Sequence, residues 1–127
     1  MIRVLLVDDE PMFLAALEAL LATDDRIDVV GMADSAVQAL EIAAEQHPDV
    51  ALVDLAMPGL DGFELTRRLL SNHAAGHVLA VSGLTRERDV ERAIEAGASA
   101  FLLKGGLYTE VADAIVAASE QPGQAGA

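Results

Sequence analysis

Five short apolar runs alternate with five longer segments of helical periodicity along the chain. The runs are nearly continuous in Val, Leu, Ile and Ala, a pattern typical of strands that are buried on both faces of a parallel sheet. These strands are predicted at Ile2–Val7, Ile27–Met32, Val50–Val53, Val78–Val81 and Ala100–Leu103. Strands of this kind need helices on both faces of their sheet, and the intervening segments supply them.

The intervening segments place apolar residues three and four positions apart, as amphipathic helices do. Helices are predicted at Pro11 to about Thr23, Ser35–Gln46, Gly62–Ser71, Thr85–Ala96 and about Thr109–Ser119. Pro11 suits a first helical turn and Gly97 suits a C-terminal cap. In the second helix, the pattern predicts that Val37, Leu40 and Ala44 form the buried stripe.

Regular alternation of strand and helix predicts an α/β domain with one doubly wound, five-stranded parallel sheet and five helices. The length of 127 residues is common for a single domain. We expect the domain to span residues 1–120. Residues 121–127 are rich in Gly, Ala and Gln and are expected to form a linker or a tail.

Composition excludes several classes of function. The chain has no cysteine, which excludes disulfides, thiolate catalysis and cysteine-based zinc sites. The formal net charge of −13 predicts no direct binding to nucleic acid or to anionic membranes. The first apolar run is too short for a signal-peptide core or a membrane span, so we expect a soluble, cytoplasmic protein. The histidines, His47, His73 and His77, lie near helix ends or strand starts, lack ligand spacing and are expected to have surface or capping roles.

Polar residues stand at the carboxyl ends of four of the predicted strands. Asp8 and Asp9 follow the first, Asp54 the third, Ser82 the fourth and Lys104 the fifth. Taken singly, each has a simpler interpretation as a loop acid, a turn residue, a structural hydroxyl or a solvated charge. Ligands of open α/β sheets bind at this edge, however, so the coincidence predicts one shared functional site.

The residue types at this edge suit metal and phosphate chemistry. Three carboxylates close together repel one another, and a hard cation such as Mg²⁺ relieves the repulsion by taking oxygen ligands. A cation and the ammonium group of Lys104, the only lysine in the chain, would together neutralise a phosphoryl group. A hydroxyl such as that of Ser82 can donate a hydrogen bond to a phosphoryl oxygen.

Three segments of the sequence resemble the signature segments of response-regulator receiver domains. They are Val4–Glu10, Leu52–Gly62 and Ala100–Lys104, in the expected order, and the resemblance covers about Ile2–Ser119. It implies a flavodoxin-like fold with strand order 2-1-3-4-5.

The resemblance also implies a role for each residue at the edge. Asp54 matches the phosphoacceptor, which attacks a phosphohistidine. Asp8 and Asp9 match the acidic pair that holds Mg²⁺, with Asp54 and the backbone carbonyl of Ala56 as further ligands. Lys104 matches the lysine that pairs with the phosphoryl group, and Ser82 matches the hydroxyl that turns toward it. Phe101 matches the aromatic switch residue.

As partners, the resemblance implies a sensor histidine kinase, a homodimer formed on phosphorylation and a C-terminal DNA-binding domain outside this chain. The expected output is control of transcription. The chain itself is expected to catalyse only its own phosphorylation and dephosphorylation.

The sequence departs from the family pattern at four positions. Gly105 follows the lysine where much of the family has proline, which favours a regulator with a helix-turn-helix output. Ala56 and Leu84 are apolar at positions that flank the approach of water to the phosphoryl group, which predicts altered hydrolysis kinetics. Phe101 has no hydroxyl, so its switching would depend on packing alone.

Three other functions fit the fold class less well. A phosphatase of the haloacid dehalogenase type has its nucleophile in an Asp-x-Asp pattern on the first strand, whereas Asp8 and Asp9 are adjacent. A flavodoxin-like FMN module needs a hydroxyl-rich phosphate loop and flanking aromatic residues, whereas the chain has no Trp and a single Tyr. A pseudo-receiver that takes no phosphate stays open, although the full set of polar residues argues against it.

Overall fold

The computed structural model describes residues 1–57, 61–83 and 87–122. Its strands are β1 (Ile2–Val7), β2 (Ile27–Ala33), β3 (Val50–Asp54), β4 (His77–Ser82) and β5 (Ala100–Leu103). Its α-helices are α1 (Pro11–Leu21), α2 (Ala36–Gln46), α3 (Gly62–Ser71), α4 (Glu87–Glu95) and α5 (Val111–Ser119). A 3-10 helix, Lys104–Thr109, connects β5 to α5. No helix among these residues is long and apolar enough to cross a membrane.

The strands form one parallel sheet in the order β2-β1-β3-β4-β5. The α/β fold class, the five helices and the strand order 2-1-3-4-5 are thereby confirmed. Because alternate residues of a strand point to opposite faces, the buried strands contribute to an apolar layer on each face. Leu6 of β1, for example, belongs to the layer beneath α1 and α5, whereas its neighbour Leu5 belongs to the layer beneath α2 and α3.

The layer beneath α1 and α5 is built from large aliphatic side chains. Those from the two helices are Leu14, Leu17, Leu21, Val111 and Ile115, joined by Ala118. A separate cluster beneath α4 consists mostly of alanines. Its buried members are Leu55, Phe63, Ala80, Ala93, Ala96 and Ala98, and the partly buried Phe101 packs against them.

The predicted buried stripe of α2 is confirmed only at Leu40, which is partly buried and packs against the layer beneath α2 and α3. Val37 is 68% exposed and Ala44 is exposed, whereas Ala36, Ala39 and Ala43 face the sheet. Three small side chains let the helix approach the sheet closely. At Gly31 of β2 a Cβ atom would lie 2.6 Å from Ile42 Cγ2 of the same helix, so the strand has no room for a side chain there. Periodicity favoured the larger side chains and missed this close approach.

Gly97 caps the carboxyl end of α4, as the sequence predicts. Gly97 has φ of +109°, a backbone region that residues with a side chain rarely adopt. The amide of Ala98 donates to the carbonyl of Ala93 at 3.0 Å, which is the wider of the two hydrogen bonds of a Schellman motif. The predicted helix start at Thr85 lies outside the described residues, as do residues 123–127 of the predicted tail.

The histidines occupy unlike positions. His47 caps α2 in a left-handed conformation, with φ of +46°, and His73 is exposed. His77 lies at a strand start, as its place in the sequence predicts, but the surface or capping role expected of it is wrong because it is buried. It begins β4, is 4% exposed and has its Nδ1 atom 3.4 Å from Ser99 Oγ.

Candidate functional site

Two buried carboxylates stand side by side at the carboxyl edge of the sheet. Asp8 follows β1 and Asp54 ends β3, and the two strands pair through Val7 and Val53. Asp8 and Asp54 are 1% and 4% exposed. Asp9 is exposed, and one side-chain oxygen from each of the three acids lies within 4.8 Å of the others. The structure therefore brings together the three acids that the sequence predicted.

Each buried carboxylate is fixed by a main-chain amide two residues further on. Glu10 donates its amide to Asp8 Oδ1 at 2.8 Å, and Ala56 donates its amide to Asp54 Oδ1 at 3.0 Å. Aspartate commonly makes such bonds where a strand turns away from its sheet. One oxygen of each carboxylate is thus held, and the Oδ2 atoms face the ammonium group of Lys104.

Lys104 reaches across the edge from the end of β5, as its position in the sequence predicts. Its Nζ atom lies 2.9 Å from Asp8 Oδ2, 3.4 Å from Asp54 Oδ2 and 2.6 Å from Glu10 Oε1. The same atom lies 4.6 Å from the centre of the Phe13 ring. The peptide bond between Lys104 and Gly105 is trans.

Burial and charge act against each other at these groups. Burial is the largest influence on the pKa of Asp8 and raises it. The Lys104 ammonium and the Glu10 amide lower this pKa, whereas the Asp54 carboxylate raises it further. The net pKa of Asp8 is above its usual value. Burial by itself would lower the pKa of Lys104. The Glu10 and Asp8 carboxylates and the charge of Asp54 outweigh it, and the net pKa of the ammonium is raised. The site therefore holds a charged lysine among acids, one of which is ionised at a cost.

The donor set suits a hard divalent cation. Asp8 Oδ2 is buried and accepts no well-aligned hydrogen bond within the described part of the chain, although the Lys104 ammonium lies 2.9 Å from it. A cation would complete the coordination of that oxygen and reduce the repulsion among the carboxylates. Oxygen donors at this spacing favour Mg²⁺ over softer metals.

Ser82 and Phe101 lie beside this cluster, toward α4. Asp54 pairs in register with Val81, so Ser82 stands one residue further along β4, where it is 8% exposed. Phe101 pairs with Ala80 and packs in the alanine-rich cluster beneath α4. Leu84, predicted to affect hydrolysis of the phosphoryl group, lies outside the described residues.

Two residues at this site were missed by the sequence reasoning. Glu10 and Phe13 both contact Lys104; Glu10 is the residue directly before α1, and Phe13 lies in the first turn of that helix. Their signal was present, because Glu10 extends the acidic pair and Phe13 lies one turn further, above the same edge.

A scan against protein-family models matches residues 4–116 to the response regulator receiver domain. Response regulator GacA of Pseudomonas viridiflava is 41% identical over 115 residues, which are 91% of this chain and 54% of that protein. Transcriptional regulatory protein LiaR of Bacillus subtilis is 39% identical over 120 residues, 94% of this chain and 57% of that protein. The chain thus spans about half the length of these curated relatives.

The fold is also similar to that of solved receiver domains. The signal receiver domain of the putative response regulator NarL from Mycobacterium tuberculosis superposes with a TM-score of 0.87 and 34% identity. That match covers 94% of this chain and 96% of the other. The sequence match and the shared fold cover the same strands and the same acidic edge, and the chain therefore belongs to the response regulator receiver domain family.

Proposed function

We propose that Asp54 is the phosphoacceptor of a two-component signalling pathway and that its phosphorylation switches the conformation of the chain. The observation that carries the proposal is the setting of Asp54. It is a buried carboxylate at the end of a central strand, with one oxygen held by the Ala56 amide and the other 3.4 Å from a lysine ammonium.

The proposed reaction transfers a phosphoryl group from a phosphohistidine of a sensor kinase. A carboxylate oxygen of Asp54 forms a bond to phosphorus as the phosphorus–nitrogen bond breaks, and the imidazole leaves and takes up a proton. Lys104 would neutralise the charge of the transferred group. When bound to Asp8, Asp9, Asp54 and the carbonyl of Ala56, Mg²⁺ would supply further charge neutralisation.

Phosphorylation would then act through the neighbours of Asp54. The new group adds negative charge and acceptor oxygens, to which the Ser82 hydroxyl can donate. Movement of Ser82 toward the phosphoryl group would leave space beside β4, into which the Phe101 ring can turn. Because Phe101 packs beneath α4, the displacement of its ring is expected to shift that helix.

The lifetime of the phosphorylated state should depend on the side chains that flank Asp54. Ala56 is exposed and has no group to hydrogen-bond an attacking water, and Leu84 is equally apolar in sequence. Polar residues at both positions are therefore expected to change the rate of dephosphorylation. An unchanged rate in the double variant would reject this part of the proposal.

The proposed partners are supported by the family and by the curated relatives, about half of whose length this chain spans. A histidine kinase is the proposed donor, and a C-terminal DNA-binding domain, with a homodimer formed on phosphorylation, is the proposed output. The net charge of −13 supports placing DNA binding outside these residues. We propose no activity for the chain beyond its own phosphorylation and dephosphorylation, and the cytoplasmic location stays a prediction.

The direct test is to mix the chain with Mg²⁺ and acetyl phosphate and to record the intact mass. The expected result is the gain of one phosphoryl group, which requires both Mg²⁺ and Asp54. Asp54→Asn should abolish the gain, and the matched control Asp28→Asn, in an exposed position of β2, should keep it. If acetyl phosphate and a phosphorylated kinase both leave the mass unchanged, the chain is a pseudo-receiver and the proposal is wrong.

A further inference from the structure

The shortest contact of the Lys104 ammonium is with an acid outside the predicted cation ligands. Glu10 Oε1 lies 2.6 Å from Nζ, closer than Asp8 Oδ2 at 2.9 Å or Asp54 Oδ2 at 3.4 Å. The three acids also differ in exposure, because the Glu10 side chain is 65% exposed while those of Asp8 and Asp54 are 2% and 5% exposed. Glu10 is therefore the partner that can leave the ammonium at the smallest cost in desolvated charge.

The main chain of Glu10 is fixed even though its side chain is exposed. Its amide donates to Asp8 Oδ1 at 2.8 Å, and Pro11 begins α1 directly after it. The carboxylate of Glu10 can thus turn into solvent without any movement of the main chain. The contact with Lys104 involves only the Glu10 side chain, so it can break without a change in the fold.

A second contact holds Lys104 from the same helix. The Phe13 ring lies 4.6 Å from Nζ, in a cation–π arrangement, and its centre lies 6.1 Å from that of Tyr108 in the 3-10 helix after β5. The start of α1 therefore holds the ammonium on two sides. With these contacts in place, Lys104 is directed toward Glu10 and Asp8 more closely than toward Asp54.

We propose that Glu10 is a positioning residue that holds Lys104 in the unphosphorylated chain and must release it before the ammonium pairs with a phosphoryl group on Asp54. This inference rests on the proposed function of Asp54 and adds a control on its rate. A phosphoryl group placed on Asp54 competes with Glu10 for the same ammonium. The Glu10 contact therefore favours the unphosphorylated state and slows entry into the phosphorylated one.

The first experiment compares Glu10→Gln with wild type in phosphorylation by acetyl phosphate and Mg²⁺. Loss of an ion pair with one exposed partner predicts an acceleration of about two- to five-fold. Glu18→Gln, which removes an exposed carboxylate elsewhere on α1, is the matched control and should leave the rate unchanged. A rate equal to or lower than wild type in Glu10→Gln would overturn the proposal.

A double variant separates positioning from simple charge repulsion of the donor. If Glu10 acts through Lys104, Glu10→Gln adds nothing to the rate of Lys104→Gln. If Glu10 only repels the anionic donor, the same acceleration persists without the lysine, and the positioning role is rejected.

A spectroscopic measurement tests the contact without phosphorylation. Because the chain has one lysine, isotope-labelled lysine gives a single side-chain Cε signal that reports Lys104. In the absence of any donor, Glu10→Gln should change its chemical shift and increase its mobility, while Glu18→Gln should change neither. An unchanged signal in Glu10→Gln would overturn the inference, whereas failure of phosphorylation with a changed signal would overturn the function of Asp54 and leave the contact standing.

Discussion

Helices α5 and α4 lie on opposite faces of the same sheet and are held to it in different ways. From α5, Val111 and Ile115 are fully buried among leucine and valine side chains. From α4, Ala93 is the buried residue, and its cluster is mostly alanine. Each buried methylene contributes about 0.8 kcal/mol, so the apolar anchoring of α4 is much weaker than that of α5.

The contacts that hold α4 are of a kind that can be exchanged. Arg92 stacks over the ring of Phe63 of α3 at 3.9 Å, and Gly97 closes the end of the helix. Helix α4, which is held weakly, packs against Phe101, whereas helix α5, which is held firmly, packs against the buried central strands. The difference teaches that the sheet is firmly anchored on the face beneath α1 and α5 and weakly anchored beneath α4, and the proposed switch needs an element of the second kind.

The largest effect is expected from truncating the same residue type on the two helices. Ile115→Ala of α5 should lower the free energy of unfolding by about 2–5 kcal/mol, because it leaves a cavity in the aliphatic layer. Ile94→Ala of α4 is the matched control, and because Ile94 is 51% exposed the change should stay within about 0.5 kcal/mol. Urea denaturation measures both. Equal losses in the two variants would refute the difference between the helices.

A smaller loss is expected at the end of α4. Gly97→Ala forces a side chain into a backbone region with φ of +109° and places its Cβ atom 2.6 Å from Leu70 Cδ1. We expect a loss of about 1–3 kcal/mol in the free energy of unfolding. Gly83→Ala is the control, since its Cβ atom would meet no described residue within 4 Å. A similar loss in both variants would show that the cap does not fix the end of the helix.

The buried carboxylate of Asp8 is expected to lower the free energy of unfolding, a loss that the aliphatic layer beneath α1 and α5 offsets. Burial raises the pKa of Asp8 in the folded chain above its ordinary value of 3.8. The folded state is therefore favoured while Asp8 is protonated, at a pH below 3.8, and this contribution to the free energy of unfolding is lost as the pH rises through the folded-state pKa. Asp8→Asn removes this loss, so at pH 7 without divalent cation its free energy of unfolding should exceed that of wild type, by less than the change at Gly97.

Denaturation between pH 4 and pH 7 checks this sign, with the exposed Asp25→Asn as the control for general charge. Added Mg²⁺ should stabilise wild type more than Asp8→Asn. A lower stability of Asp8→Asn at pH 7 would mean that its pairing with Lys104 outweighs the cost of burial.

The smallest effect on the free energy of unfolding is expected from the ion pairs of Arg26 near the first turn of α5. Arg26 contacts Asp24 at 2.7 Å and Asp113 of α5 at 3.4 Å, and all three groups are near the surface. Its side-chain hydrogen bond to Asp24 is the main reason that the pKa of Asp24 falls to about 2. The stability from this pair is present above about pH 3.8 and is lost as the pH falls toward 2.

Arg26→Gln should return the pKa of Asp24 toward 3.8, as an NMR titration would show. It should change stability at neutral pH far less than Ile115→Ala, because exposed ion pairs contribute little. A loss comparable to that of Ile115→Ala would mean that α5 is held by charge and not by apolar burial.

Most of the fold was predictable because strands buried on both faces leave a strong local pattern. The runs of Val and Leu placed every strand, and the polar residues after them located the acidic edge. The buried face of α2 was not predictable in the same way. Periodicity weighs the size of side chains, whereas the face of α2 that is buried against the sheet consists of the small side chains of Ala36, Ala39 and Ala43.

The site was predictable to the extent that its residues end strands. Asp8, Asp9, Asp54 and Lys104 come together because the carboxyl ends of parallel strands share one edge. The contact of Glu10 with Lys104 joins residues 94 positions apart. The acidic run after β1 marks Glu10 as a neighbour of the site, but its pairing with Lys104 depends on side-chain conformations that the run does not specify.

The edge strands of the sheet bear on how two copies of the chain can associate. In the pairing of β1 with β2, Val4 faces Val29 but Leu5 faces Gly31, so β2 contains one extra residue and a bulge. β2 is one outer strand, and the other, β5, has four residues. A bulged strand and a short strand are poor templates for a further chain. Joining two copies into one continuous sheet is therefore disfavoured, and a dimer would have to be built from helical surfaces, which are the parts that a shift of α4 can reshape.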